Sequence, residues 1–192
     1  MTRAAADIGI RSARAEDATA IARIQVESWQ AAYAGLLPAE VLLGLDSRQH
    51  EARWWRHVLG SRFRRNHLVY VAEREEGEVV GFASAGPSRQ EGLPYKGEIY
   101  TLYLQDEFHG SGIGRALFES AHAGVRAARG GSLIVWCLSG NPSRFFYEHM
   151  GGTLVARRAS RVGTADVEEL GYGWTDALPT PPAGRAGIAG SA

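Results

Sequence analysis

The chain of 192 residues has a single cysteine, Cys137, which excludes an internal disulfide and any metal site built from clustered thiolates. It also has a single lysine, Lys96, the other basic residues being arginines scattered along its length. With 21 basic and 21 acidic residues the formal charge is zero, so no basic field points to nucleic acid. No charged opening segment runs into an apolar stretch, and no apolar run approaches the ~20 residues of a membrane span. His50, His57, His67, His122 and His149 show no metal-ligand spacing, and no metal is expected. These absences leave a soluble cytoplasmic protein with neither membrane nor nucleic-acid partners as the expectation.

Apolar residues at 45% and charged residues at 22% are ordinary for a globular protein, and the length suits one domain with a proper core. The chain divides into a folded unit over residues 1–174 and a Pro/Gly/Ala-rich end, "TDALPTPPAGRAGIAGSA" (175–192), which reads as a tail without fixed structure. "DIGIRSA" is a short strand candidate. From Ala15 to Ala34 the apolar spacing is helical, with Ala18, Ala22, Val26, Trp29 and Tyr33 on one face. A short helix over 39–45 and another over "SRQHEARWWRHVLGS" follow, in which Trp54 and Trp55 read as packing residues. "HLVYVAE" and "EVVGFASAG" then form a hairpin around "REEGE", and "GEIYTLYL" (97–104) reads as a central strand. A helix to about Arg129 carries Leu117, Ala121, Val125 and Ala128 as a stripe. "SLIVWCL" has the apolar continuity of a strand covered on both faces, with Cys137 as a small buried side chain. In "NPSRFFYEHMGG", Asn141 suits an N-cap, Pro142 the first helical turn and Gly151 a left-handed C-terminal position. "TLVARR" and "VEELGYGW" complete a mixed α/β sheet with a strand–glycine loop–helix unit at its middle.

That loop, "FHGSGIGRALF", places Gly110, Gly112 and Gly114 in front of a helix, although glycine inside a helix costs about 1 kcal/mol relative to alanine. A P-loop needs a lysine that is missing here. A dinucleotide fingerprint needs its third glycine one place later and an earlier place in the chain. Two readings remain open. The loop is either a tight turn or a diphosphate cradle in which exposed N–H groups meet a helix N-terminus.

Four stretches together resemble the GNAT superfamily of acetyl-CoA-dependent N-acetyltransferases. The segment from His109 through Gly110, Ser111, Gly112, Ile113 and Gly114 to Arg115 resembles its signature Q/R-x-x-G-x-G/A, with His109 where the family prefers glutamine or arginine. "SWQAAYAGLLP" resembles its first helix and loop, and "NPSRFFYEHMGG" with "ELGYGW" its later motif and closing strand. The likeness spans about Ile8 to Trp174.

The resemblance implies a mixed, mostly antiparallel sheet of about six to seven strands, splayed at one strand pair to admit coenzyme A. It implies a pantetheine arm along Leu102, Tyr103 and Leu104, and a diphosphate on the amides from Gly110 to Arg115. Asn141 either bonds the pantetheine arm, caps its helix, or does both. Glu98, eleven residues before His109, corresponds to a glutamate base, against the alternatives of a solvated strand-end charge and of a water chain or another residue as the base. Tyr147 corresponds to a tyrosine facing the coenzyme's sulfur, the alternative being a buried packing residue. Tyrosine titrates near 10 and an alkyl thiol near 8.5, so Tyr147 is expected to act as a hydrogen-bond donor rather than to give up its proton. Trp29 and Tyr33 are either a wall of the acceptor pocket or core packing. The implied reaction is direct acetyl transfer to a primary amine of a small molecule or a peptide N-terminus, with no covalent nucleophile indicated. A non-catalytic acyl-CoA-binding module is the alternative, and a homodimer is compatible with the family.

Overall fold

The computed structural model describes residues 8–59, 67–75 and 77–175. The expected tail lies outside these residues but for Thr175, as do Gly60 and the side chains of Trp55 and His57.

Seven strands form one sheet in the order β1-β2-β3-β4-β5-β7-β6. They are β1 (Ile8–Ser12), β2 (Leu68–Arg74), β3 (Val79–Pro87), β4 (Gly97–Leu104), β5 (Leu133–Leu138), β6 (Thr153–Val162) and β7 (Ala165–Trp174). Every neighbouring pair is antiparallel except β4 and β5. The helices are α1 (Ala18–Ala32), α2 (Ala39–Leu43), α3 (Ser47–Leu59), α4 (Ile113–Arg129) and α5 (Arg144–His149). Among the described residues no helix is long and apolar enough to cross a membrane.

α4 covers one face of the sheet, packing on β2, β3 and β4 through Ile113, Leu117, Phe118, Ala121 and Val125. Ala128, expected on that stripe, is exposed, because the helix has run past the sheet by its last turn. α1 and α3 share the opposite face. α3 also packs against α1, so α1 buries Ile21 and Ile24 beside the expected Ala18 and Ala22, while Val26 is only partly covered. The expected start of α1 at Ala15 is a 3-10 turn over Ala15–Asp17, and the helix proper begins at Ala18.

One pairing positions everything that follows. β4 and β5 are in register only from Gly97↔Leu133 to Ile99↔Val135. Beyond Ile99, β4 continues with β3, while β5 follows β7 to Leu138↔Glu169. The two halves of the sheet part there, leaving the β5-facing edge of β4 from Tyr100 onward without a strand partner among the described residues. At the same point the β3–β4 register slips so that Tyr100 has no partner residue on β3. A bulge of this kind re-aims side chains locally.

Candidate active site

The split between β4 and β5 opens a cavity of about 570 Å³ that runs from the glycine loop to the far side of the sheet. Its floor is β4, with Leu102, Tyr103 and Leu104 among the lining residues, and its other wall is β5 with Trp136 and Cys137.

At one end stands the glycine loop. Gly110 (φ 74°) and Gly112 (φ 88°) both occupy the left-handed region, which side chains with a Cβ rarely adopt. A Cβ added to either would meet only open space, so the glycines answer to backbone conformation and to whatever approaches from outside. The amides of Gly110, Gly112, Ile113, Gly114 and Arg115 have no acceptor among the described residues, whereas that of Ala116 already closes the first helical turn onto Gly112 at 3.1 Å. A row of unused N–H groups at the start of a 17-residue helix is an anion site with about half a positive charge behind it.

The loop's side chains do separate work. His109, standing where glutamine or arginine was expected, contacts the Leu104 carbonyl through Nε2 at 3.1 Å and so ties the loop to the end of β4. Ser111 donates its hydroxyl hydrogen to the Phe108 carbonyl. Ile113 is buried in the core, leaving only its amide to serve the site. Arg115 pairs with Glu119 one turn on, at 2.8 Å.

The middle of the cavity is aromatic and polar. Tyr147, on α5, is 7% exposed and lines the cavity, with no hydrogen bond to its hydroxyl among the described residues. Burial pushes its pKa well up, so the phenol stays protonated at neutral pH. Burial likewise pushes the Cys137 thiol to about 12, which removes it as a nucleophile although it lines the same space. Asn141 is buried, lines the cavity and accepts from the Ser143 amide through Oδ1 at 2.8 Å. It is not the helix N-cap that the sequence suggested: Asn141 caps the turn before α5, which starts only at Arg144.

Tyr33 lines the cavity from the end of α1 and stacks edge-on against Trp29 at 5.1 Å. Trp29 itself is not part of the lining. Its indole N–H donates to the Tyr103 hydroxyl at 2.7 Å and so braces a residue that is. Burial raises the pKa of both Tyr33 and Tyr103, so both hydroxyls remain neutral donors.

Glu98 is placed differently from either expectation. It is 1% exposed, which overturns a solvated strand-end charge, yet it stands one pleat away from the cavity lining. Both carboxylate oxygens are taken by Arg89: the Arg89 amide donates to Oε2 at 2.9 Å, Nε donates to Oε1 at 3.0 Å, and Nη2 closes on Oε1 as well. The Arg89 guanidinium also lies 4.2 Å over the Tyr100 ring, and Tyr100 lines the cavity. Sequence reasoning had no handle on Arg89, an arginine among many in a loop without periodicity. Thr101, Trp136, Phe146 and Met150 also line the cavity unannounced, since their strand or helix faces follow from the β4–β5 split.

The geometry agrees with comparison to known proteins. Residues 65–151 match the family model of an acetyltransferase (GNAT) domain. The chain is 34% identical over 169 residues, covering 88% of itself and 94% of the relative, to YuaI, an uncharacterized N-acetyltransferase of Bacillus subtilis strain 168. It belongs to the GNAT acetyltransferase family. Solved GNAT structures superpose on most of the chain. The ribosomal-protein-alanine N-acetyltransferase of Brucella melitensis does so with a TM-score of 0.66 at 26% identity, over 86% of this chain and 98% of that one. YncA of Salmonella typhimurium, solved with its cofactor acetyl-CoA, does so with a TM-score of 0.63 at 22% identity, over 93% and 99%. As a GNAT member the chain is an acyltransferase, and the splayed strand pair inferred from the resemblance is the β4–β5 split.

Proposed function

We propose that the protein transfers the acetyl group of acetyl-CoA directly to a primary amine, on a small molecule or a peptide N-terminus. One observation carries this reading: a single cavity joins the unused amides ahead of α4, the unpaired edge of β4 and the neutral hydroxyl of Tyr147. The loop fits a diphosphate, because its donors are main-chain N–H groups that have no other acceptor among the described residues and its glycines leave room for close approach.

Acetyl-CoA, when bound, supplies a thioester-activated acetyl group. The chain's residues do the rest. Gly110 and Gly112 to Arg115 hold the diphosphate, and the edge of β4 over Leu102–Leu104 offers main-chain groups to the pantetheine arm. Asn141, which lines the slot, would bond that arm through its side-chain amide. The acceptor arrives as an ammonium, since an alkylamine has a pKa near 10.4, and must lose a proton before it attacks. In this reading Glu98 takes that proton once Arg89 has moved off its carboxylate. Tyr147 donates a hydrogen bond to the negative charge that grows on the departing sulfur and keeps its own proton while doing so. Overall, ammonium and thioester become amide, free thiol and one proton. Tyr33, with Trp29 behind Tyr103, forms the acceptor-side wall.

The test is thiol release. The purified protein with acetyl-CoA and a panel of primary amines should liberate free CoA, and one amine should raise the rate at least about 100-fold over buffer. Acetyl-CoA binding without stimulation by any amine would instead favour a non-catalytic binding module.

A further inference from the structure

The Glu98–Arg89 pair bears on which acceptors fit, an inference that rests on the reading of Glu98 as the base. Its two members are unequally held. Glu98 is 1% exposed, whereas the Arg89 side chain is 61% exposed. A carboxylate so deeply covered needs a positive partner at all times. A half-exposed guanidinium can leave through solvent at small cost, provided that another cation takes its place. The backbone behind Arg89 need not move for this. Gln90 is clamped by Arg158 at 2.8 Å, the Ser88 amide is bonded to Lys96 O at 3.0 Å, and the Tyr100 hydroxyl holds Pro87 O at 2.6 Å.

Glu98 and Tyr100 stand two residues apart on the face opposite Ile99, about 7 Å along the strand. Arg89 spans that gap, bonded to one and stacked on the other. A cation entering from the cavity past Tyr100 therefore meets the guanidinium before it meets the carboxylate. We propose that Arg89 is a specificity-determining residue that exchanges partners with the acceptor: the incoming ammonium takes the Glu98 carboxylate, and the displaced guanidinium takes an anionic group on the same molecule. The fitting acceptor is thus a small zwitterion with a carboxylate a few bonds from its amine, as in a free α-amino acid.

Charge conservation favours that class over its neighbours. A zwitterion brings one positive and one negative charge and leaves the site as neutral as it found it. A plain amine or polyamine strands the displaced guanidinium beside added positive charge. A phosphate monoester adds excess negative charge close to Glu98. A peptide N-terminus has its nearest carboxyl locked in an amide and gives Arg89 nothing to bind.

The test compares α-amino acids with their own carboxamides as acceptors, by CoA release in the wild type, Arg89→Gln and Arg89→Lys. In the wild type the free acids should be preferred by about 10–100-fold in kcat/KM, carried by KM. Arg89→Gln should collapse the ratio toward one by raising KM for the acids, and Arg89→Lys should restore part of it. Acetyl-CoA affinity should stay constant throughout, which reports an intact fold. Comparable kcat/KM for acids and carboxamides in the wild type, or an unchanged ratio in a folded Arg89→Gln, would overturn the exchange while leaving amine acetylation standing. If neither class is acetylated while another primary amine is, the exchange fails and amine acetylation stands; if no primary amine is acetylated, the proposed function fails and the exchange with it.

Discussion

Tyr147 shows how far a single residue could be read before its surroundings were known. The motif around it implied a hydroxyl near sulfur, and solution pKa values already made full proton transfer uphill. Burial adds to that slope, because it disfavours the phenolate further. In the proposed reaction Tyr147 is therefore a donor to developing charge, comparable to one arm of an oxyanion hole. Tyr147→Phe should lower kcat by about 10²–10³-fold with little change in acetyl-CoA affinity, measured by CoA release and by direct titration. A fully active Phe variant would remove the hydroxyl from the chemistry. Glu98 shows the opposite case. Its place on β4 was legible from spacing, but its burial and its capture by Arg89 were not, because the partner sits in a loop whose conformation depends on Ser88, Gln90 and Arg158 together.

Among the elements, those with local punctuation were the easiest to read. The β2–β3 hairpin, the α4 stripe from Leu117 to Val125 and the short helix of the α5 motif follow from periodicity and glycine placement and are present, although Ala128 is exposed and α5 starts only at Arg144. The entry to α1 was misread because Arg11 organises it from another strand. Arg11 bonds Asp17 at 2.7 and 2.9 Å and also grips Glu73 on β2, so one guanidinium ties β1, β2 and the turn before α1. Burial alone would raise the Asp17 pKa, but the bonds from Arg11 and from the Arg14 amide outweigh it and hold it below its usual 3.8. Glu73 is held below 4.5 chiefly by the hydrogen bond from Arg11. A lowered folded-state pKa means stability that is complete above the unfolded-state value and is lost as pH falls through the folded one. Urea midpoints should therefore drop on acidification below about pH 4.5, and Asp17→Asn should follow a flatter curve. At neutral pH the variant should be less stable by about 1.5–3 kcal/mol, the range for a hydrogen bond to a charged group. Parallel curves for the two proteins would show that this tether does not shape the acid limb.

For the whole molecule, the order of elements was readable but the decisive long-range feature was not visible in any one segment. β4 and β5 each read as ordinary buried strands. Their parting after Ile99 and Val135 depends on β4 following β3 and β5 following β7, which are partners distant in sequence. The glycine loop, the split and α5 serve one cavity only because that topology brings three separated segments together. The proposed reaction accordingly depends on the loop amides gripping a diphosphate. The most direct measurement is a calorimetric titration of acetyl-CoA, and of S-acetylpantetheine, which lacks the diphosphate, into the wild type and Gly112→Val. Gly112 sits at φ 88°, so valine strains the cradle backbone although its Cβ would meet no atom within 4 Å. Wild type should bind acetyl-CoA about 100-fold more tightly than S-acetylpantetheine, and the variant should lose at least about tenfold for acetyl-CoA alone. Equal acetyl-CoA affinity in a folded Gly112→Val would contradict the account.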